Sequence, residues 1–183
     1  MLLVTRILLP LFAVSFAYLA SFKLLEVLPS WLTWGGDASS ATSASLCFFP
    51  HGVRVLSAWL FGLWSILLLA PATYVTQVYR FGLDGITHAT LMAPLFGVTC
   101  AAVSFEFSRR LGFDVQLREG YVTNWRNVVI VGALASTINS IGTNIAYSNT
   151  GHTFLAFWVG DVIGLIASML ILMAAFKIYR KTA

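Results

Sequence analysis

Charge is scarce in this sequence. Asp, Glu, Lys and Arg make up 10% of its 183 residues, against about 25% in soluble globular domains. With 58% hydrophobic residues and a mean hydropathy of +0.84, the chain falls in the integral membrane class rather than the soluble one. Cysteine is scarce as well. Cys47 and Cys100 form neither a disulfide framework nor a zinc site, and both are expected as buried apolar residues. The sequence has no P-loop, no dinucleotide fingerprint, no H-E-x-x-H and no nucleophile–base pairing. Nothing in it calls for an enzyme, a catalytic residue or a cofactor. Three histidines, His51, His88 and His152, show no ligand spacing for a metal or haem. The net charge is +4, but the basic residues are scattered, which gives a nucleic-acid interface no support.

What the sequence has is long apolar runs. A membrane span takes about 20 mostly apolar residues, so a chain of this length has room for five or six and for no second soluble domain. Residues 1–183 are expected to form one transmembrane helical domain. The first run, 7–28, reads as an uncleaved span: Arg6 is its only preceding charge and no A-x-A site follows. Ala13, Ala17 and Ala20 give it a close-packing face. Residues 29–45 are polar, with Trp31 and Trp34 suited to a membrane interface. Residues 46–79 are too long for one untilted span, with Gly62 near the middle and Pro71 beyond it. Further spans are expected at 86–105, 127–147 and 153–176.

Loop charge sets the orientation, because cytoplasmic loops gather Lys and Arg. The 106–126 loop carries Arg109, Arg110, Arg118 and Arg126, and the tail carries Lys177, Arg180 and Lys181. Both are therefore expected inside. If 46–79 were one span, the 29–45 loop, which has no Lys or Arg, would be cytoplasmic. If 46–79 is two short helices turning near Gly62, that loop lies outside and Arg6 inside. The expectation is an all-α, polytopic helical bundle of about six membrane segments (five if 46–79 is one span). Both termini are expected in the cytoplasm, in a bacterial inner membrane.

Ionisable groups within a bilayer are costly and face the bundle interior or a watery cavity. Lys23 and Glu26 lie three apart and suit a local pair, as Glu106 suits Arg109 or Arg110. Asp161 is the sharper case. It stands in "FWVGDVIG", where Gly160 and Gly164 form a G-x-x-x-G pair that lets another backbone approach, and Gly164 and Ser168 share its face. Arg54, in "FFPHGVRV", matches it in charge and depth. An Arg54–Asp161 pair would either pin two helices or line a polar pocket for a small ligand or a protonation switch. His51 is a candidate third member, with Pro50 and Gly52 setting the entry of the helix. Ala135, Asn139, Gly142 and Ala146 repeat at helical spacing, as do Ser136, Ser140 and Thr143, and are expected to pack between helices or line a pocket.

Three segments carry a resemblance. "FFPHGVRVLSAWLFGLW" resembles the W-P-x-x-G segment and Gly–aromatic turn of the first family of membrane-associated sensor (MASE) domains. "RRLGFDVQLR" resembles that family's cytoplasmic loop, and "FWVGDVIG" its Trp–Gly–Asp–x–x–Gly helix. In that family the domain precedes diguanylate cyclases and histidine kinases and is thought to sense something in or near the membrane. The resemblance reaches Pro50, Gly52, Gly160, Asp161 and Gly164. His51 and Arg54 depart from it, standing where the family more often has small or apolar residues. No output domain follows, so signalling by the usual route is not expected. The resemblance implies a sensor-like or accessory membrane protein, in contact with lipid and other membrane subunits; the Arg54–Asp161 pocket, read from the residues themselves, is where it would hold a small ligand. Two alternatives stay open: a small-molecule uptake subunit, similar in layout to the substrate-binding subunits of energy-coupling-factor transporters, and a structural subunit of a larger membrane complex.

Overall fold

A computed structural model describes residues 7–27, 33–34, 44–117, 124–148 and 151–182. These residues form six helices: α1 (Leu9–Val27), α2 (Phe49–Phe61), α3 (Trp64–Phe81), α4 (His88–Arg110), α5 (Trp125–Tyr147) and α6 (Gly151–Thr182). Among the described residues, a two-residue ladder, β1 (Thr33–Trp34) antiparallel to β2 (Ala44–Ser45), is the one departure from helix as regular structure. Helices α1, α4, α5 and most of α6 are each long and apolar enough to cross a membrane. Phe12 and Phe16 of α1, Ile130 and Ile145 of α5, and Leu170 of α6 lie on the surface, as expected of a bundle solvated by lipid. The expectations placed on Arg6, Trp31 and Arg118 lie outside the described residues.

Local chemistry sets the helix starts. Thr87 caps α4 reciprocally: its Oγ1 accepts from the Thr90 amide and its own amide donates to Thr90 Oγ1. Asn124 caps α5 by accepting from the Arg126 amide. Pro50 sits in the first turn of α2, where its missing N–H costs nothing. At the surface, Lys23 pairs with Glu26 at 2.8 Å and also donates to the Tyr79 hydroxyl, while Glu106 pairs with both Arg109 and Arg110.

The long 46–79 run breaks at Gly62, which closes α2 with φ +58° and ψ −135°. Only glycine adopts that conformation without strain. The turn is tied by the Gly62 amide donating to Ala58 O and by Ser65 Oγ donating to Gly62 O. Gly62→Ala is expected to cost about 1–3 kcal/mol, the usual cost of a side chain held in a sparsely populated backbone region. Denaturant titration of the purified protein in mixed micelles would measure this. A change under about 0.5 kcal/mol, the scatter of neutral surface substitutions, would contradict the turn.

Helix α2 is the hub, packing against each of the other five helices. One apolar cluster joins it to α4, α5 and α6 through Val55, Ala58, Cys100, Phe105, Val131 and Leu165. A second joins α1 and α3 beside it through Val14, Tyr18, Leu69 and Ala72. Yet α2 has only 13 residues, about 20 Å at the helical rise, against a hydrocarbon core of about 30 Å. Non-helical segments complete its column at both ends. Near Gly62, Trp59 Nε1 donates to Val115 O at 2.9 Å and the Leu117 amide donates to Trp59 O. At the other end, residues 44–48 run alongside α6, a two-residue strand followed by a bend, with the Phe48 amide donating to Gly160 O at 2.9 Å. Within a membrane, irregular backbone of this kind is tolerated only where protein surrounds it.

Candidate functional site

The first two turns of α2 bury what a membrane bundle normally excludes. His51 is 0% exposed, Asp161 2% and Arg54 6%. Their neighbours come from the central parts of the longer helices: Tyr18 is the middle residue of α1 and Ser136 the middle residue of α5, while Gly97 and Cys100 flank the middle of α4.

Asp161 is the acceptor at the centre. Its Oδ2 accepts from Asn139 Nδ2 at 2.8 Å and from Ser136 Oγ at 3.3 Å. The same Ser136 hydroxyl lies 3.1 Å from the Trp158 carbonyl. His51 Nδ1 faces Asp161 Oδ2 at 3.4 Å without forming a hydrogen bond. On the other side of the ring, Nε2 lies 3.2 Å from the Gly132 carbonyl. Asn139, expected as a packing residue, is thus a direct partner of the carboxylate.

Arg54 is turned the other way. Its Nη2 donates to the Tyr18 hydroxyl at 2.7 Å. The guanidinium lies 5.5 Å from the Tyr18 ring centre and 5.6 Å from that of Phe48, within cation–π range. It rests on Gly97, where an added Cβ would come within 2.7 Å of its carbon and both terminal nitrogens. Its Nε has no hydrogen-bond partner among the described residues. Arg54 and Asp161, matched by depth and charge, therefore form no direct ion pair. Three residues along a helix turn about 60° short of a full circle, so His51 and Arg54 point to adjacent sectors. His51 meets α5 and α6, and Arg54 meets α1 and α4.

Gly160 and Gly164 do meet a backbone, and it is the entry of α2. A Cβ on Gly164 would lie 2.2 Å from Phe48 O, one on Gly160 2.0 Å from Ser45 O, and one on Gly52 2.2 Å from Ser168 Oγ. Gly52 lies along this seam and Pro50 sits buried in the same first turn, whereas Gly62 lies at the far end of α2. No three His, Cys, Asp or Glu side chains converge as a metal set among the described residues. Sequence reasoning missed Tyr18, Gly97 and the Gly132 carbonyl. A lone tyrosine and isolated glycines in apolar helices signal nothing specific until their neighbours are known. Comparison with protein-family profiles, characterised proteins and solved structures finds no match to this chain.

Proposed function

We propose that this chain is a multi-pass membrane protein of the sensor or accessory class, which acts by contact with a partner protein in the bilayer. The observation that carries this reading is the buried polar cluster on α2, the helix that touches every other one. A change at His51, Asp161 or Arg54 is felt across the whole bundle, and a helix shift is the available output. The MASE resemblance gives further support, because its first and last segments are the two that pack together at the Phe48–Gly160 contact. The apolar surfaces of α1 and α6 then serve lipid and partner alike. In this reading the protein sits in a bacterial inner membrane as six segments with both termini inside. The arginine-rich 106–126 region and the Gly62 turn share the cytoplasmic side, consistent with the Trp59–Val115 contact.

The test is co-purification after mild solubilisation. A fixed partner recovered in constant ratio, and lost or altered in ratio with Asp161→Asn, supports the reading. A monodisperse protein with no partner at any detergent concentration would sink it. The orientation is tested separately: a tag ahead of Met1 and a cysteine at Lys181 are both expected to react only from the cytoplasmic side. A tag exposed outside would require five spans.

A second reading is favoured by one feature. Helix α2 is a short helix that starts inside the bundle after an extended segment, a layout that transporters use at their substrate sites. A small-molecule uptake subunit would hold its substrate where this helix begins. Native mass spectrometry showing a stoichiometric bound small molecule would favour that reading.

A further inference from the structure

Both ring nitrogens of the buried His51 face acceptors. A carbonyl oxygen only accepts, so the Nε2 contact to Gly132 O at 3.2 Å requires the proton on Nε2. A neutral ring then presents a bare Nδ1 lone pair to Asp161 Oδ2, which as a carboxylate is also an acceptor. In the structure this contact is open: Nδ1 is 3.4 Å from the carboxylate, fully buried and, among the described residues, without a hydrogen bond. A proton on this pair, with a small approach of the ring and the carboxylate, would close the contact as a hydrogen bond.

We propose that His51 and Asp161 form an intramembrane binding site for a single proton, and that this proton is the ligand of the cluster on which the sensor reading rests. Uptake transfers one proton from hydronium to the Nδ1···Oδ2 pair. The donor's O–H bond breaks and it leaves as water, a bond forms between the proton and His51 Nδ1, and the pair closes as a charge-assisted hydrogen bond. No other covalent bond changes, and the cluster gains the positive charge that the hydronium loses.

The surrounding groups make the two states comparable. The charges acting on the His51 ring are Asp161 from α6 and Arg54 from its own helix. The other titratable groups in the cluster are Cys100 from α4 and Tyr18 from α1. Helix α5 presents the neutral Ser136 and Asn139. Without the extra proton, Arg54 and Asp161 balance in charge but the His51–Asp161 hydrogen bond is unmade. With it, that bond is made but one charge is uncompensated. The proton exchanges one of these defects for the other, while the Arg54 Nε without a partner among the described residues is common to both states. Because His51 lies on α2 and Asp161 on α6, the exchange tightens or loosens the seam between them.

The test uses the full chain in lipid nanodiscs, labelled with nitrogen-15 histidine. His88→Gln and His152→Gln leave His51 as the single imidazole. The expected result is a protonated Nε2 throughout, with Nδ1 passing between bare and protonated forms in one step as pH is varied between about 4 and 9, the range over which histidine pKa values in proteins spread. Asp161→Asn is expected to displace that step. The proposal is overturned if Nδ1 changes state nowhere in the range, if Nε2 is the bare nitrogen, or if Asp161→Asn leaves the titration where it was. The wild-type site needs no core substitution, so a poorly folded Asp161 variant does not spoil the measurement. Failure here with a partner still captured would remove the proton and leave the sensor or accessory reading. Titration without any partner would do the reverse.

Discussion

Asp161→Ala is expected to destabilise the folded protein by about 3–5 kcal/mol, the range for removing one partner from a buried charged cluster. The substitution takes away the acceptor of Asn139 Nδ2 and of one Ser136 contact. It also removes the only described carboxylate in the cluster with Arg54, whose side chain is 6% exposed. Neutral hydrogen bonds alone would not reach this figure. Inside membranes they average about 0.6 kcal/mol, since the unfolded chain finds other partners there. The uncompensated guanidinium makes the difference. Asp161→Asn keeps the shape and an acceptor for Asn139, and is expected to cost less than alanine. Reversible unfolding in mixed micelles would measure both. A double-mutant cycle sharpens the assignment: His51 and Asp161, in contact at 3.4 Å, and Arg54 and Asp161, which balance in charge without direct contact, are each expected to couple by roughly 0.5–3 kcal/mol. If Asp161→Ala lies within about 0.5 kcal/mol of wild type, the range of an ordinary surface change, the cluster does not hold the bundle together.

Much of the frame was legible because it rests on composition and local chemistry. Apolar runs longer than a helix needs to cross a bilayer mark α1, α4, α5 and α6 whatever their neighbours. The break at Gly62 was legible as well, because a glycine in the middle of an over-long run is where a helix ends most cheaply. Asp161 stood out because a carboxylate among glycines in an apolar helix has few explanations. Its partner was not legible. Depth and charge select Arg54 and say nothing about rotation around the helix axis. That rotation is set by which helices flank α2, with α1 and α4 on one side and α5 and α6 on the other. The same limit hid Tyr18, whose hydroxyl holds Arg54 at 2.7 Å, and recast Asn139 from a spacer to a hydrogen-bond donor. The seam at "FFPHG" was half legible: the G-x-x-x-G pair of Gly160 and Gly164 promised a close backbone approach, and the backbone that meets it is residues 45–48, which lead into α2.

That entry is the most sterically constrained place in the fold, and Gly160→Ala and Gly164→Ala are expected to disturb it more than any other single methyl. The added Cβ would lie 2.0 Å from Ser45 O or 2.2 Å from Phe48 O, and both obstacles are backbone rather than flexible side chain. Overpacking a close-fitting interior typically costs about 1–3 kcal/mol. These substitutions are expected at or above the top of that range, because the blocked segment has little room to give. It is bonded to α6 through Phe48 N and Gly160 O, and Phe48 leads directly into α2. Pushing residues 44–48 away from α6 also carries His51 away from Asp161, so the coupling between those two should fall in the same variants. Ile163→Ala is the control, on the same helix between the two glycines but 43% exposed, and is expected to cost much less. Stability of all three in mixed micelles, with the His51–Asp161 cycle repeated in the Gly164→Ala background, separates the outcomes. Loss of stability together with loss of coupling places the α2 entry against α6 as described. Loss of stability with the coupling intact would mean that α2 holds its position without the seam, and that His51 and Asp161 are fixed by α5 alone.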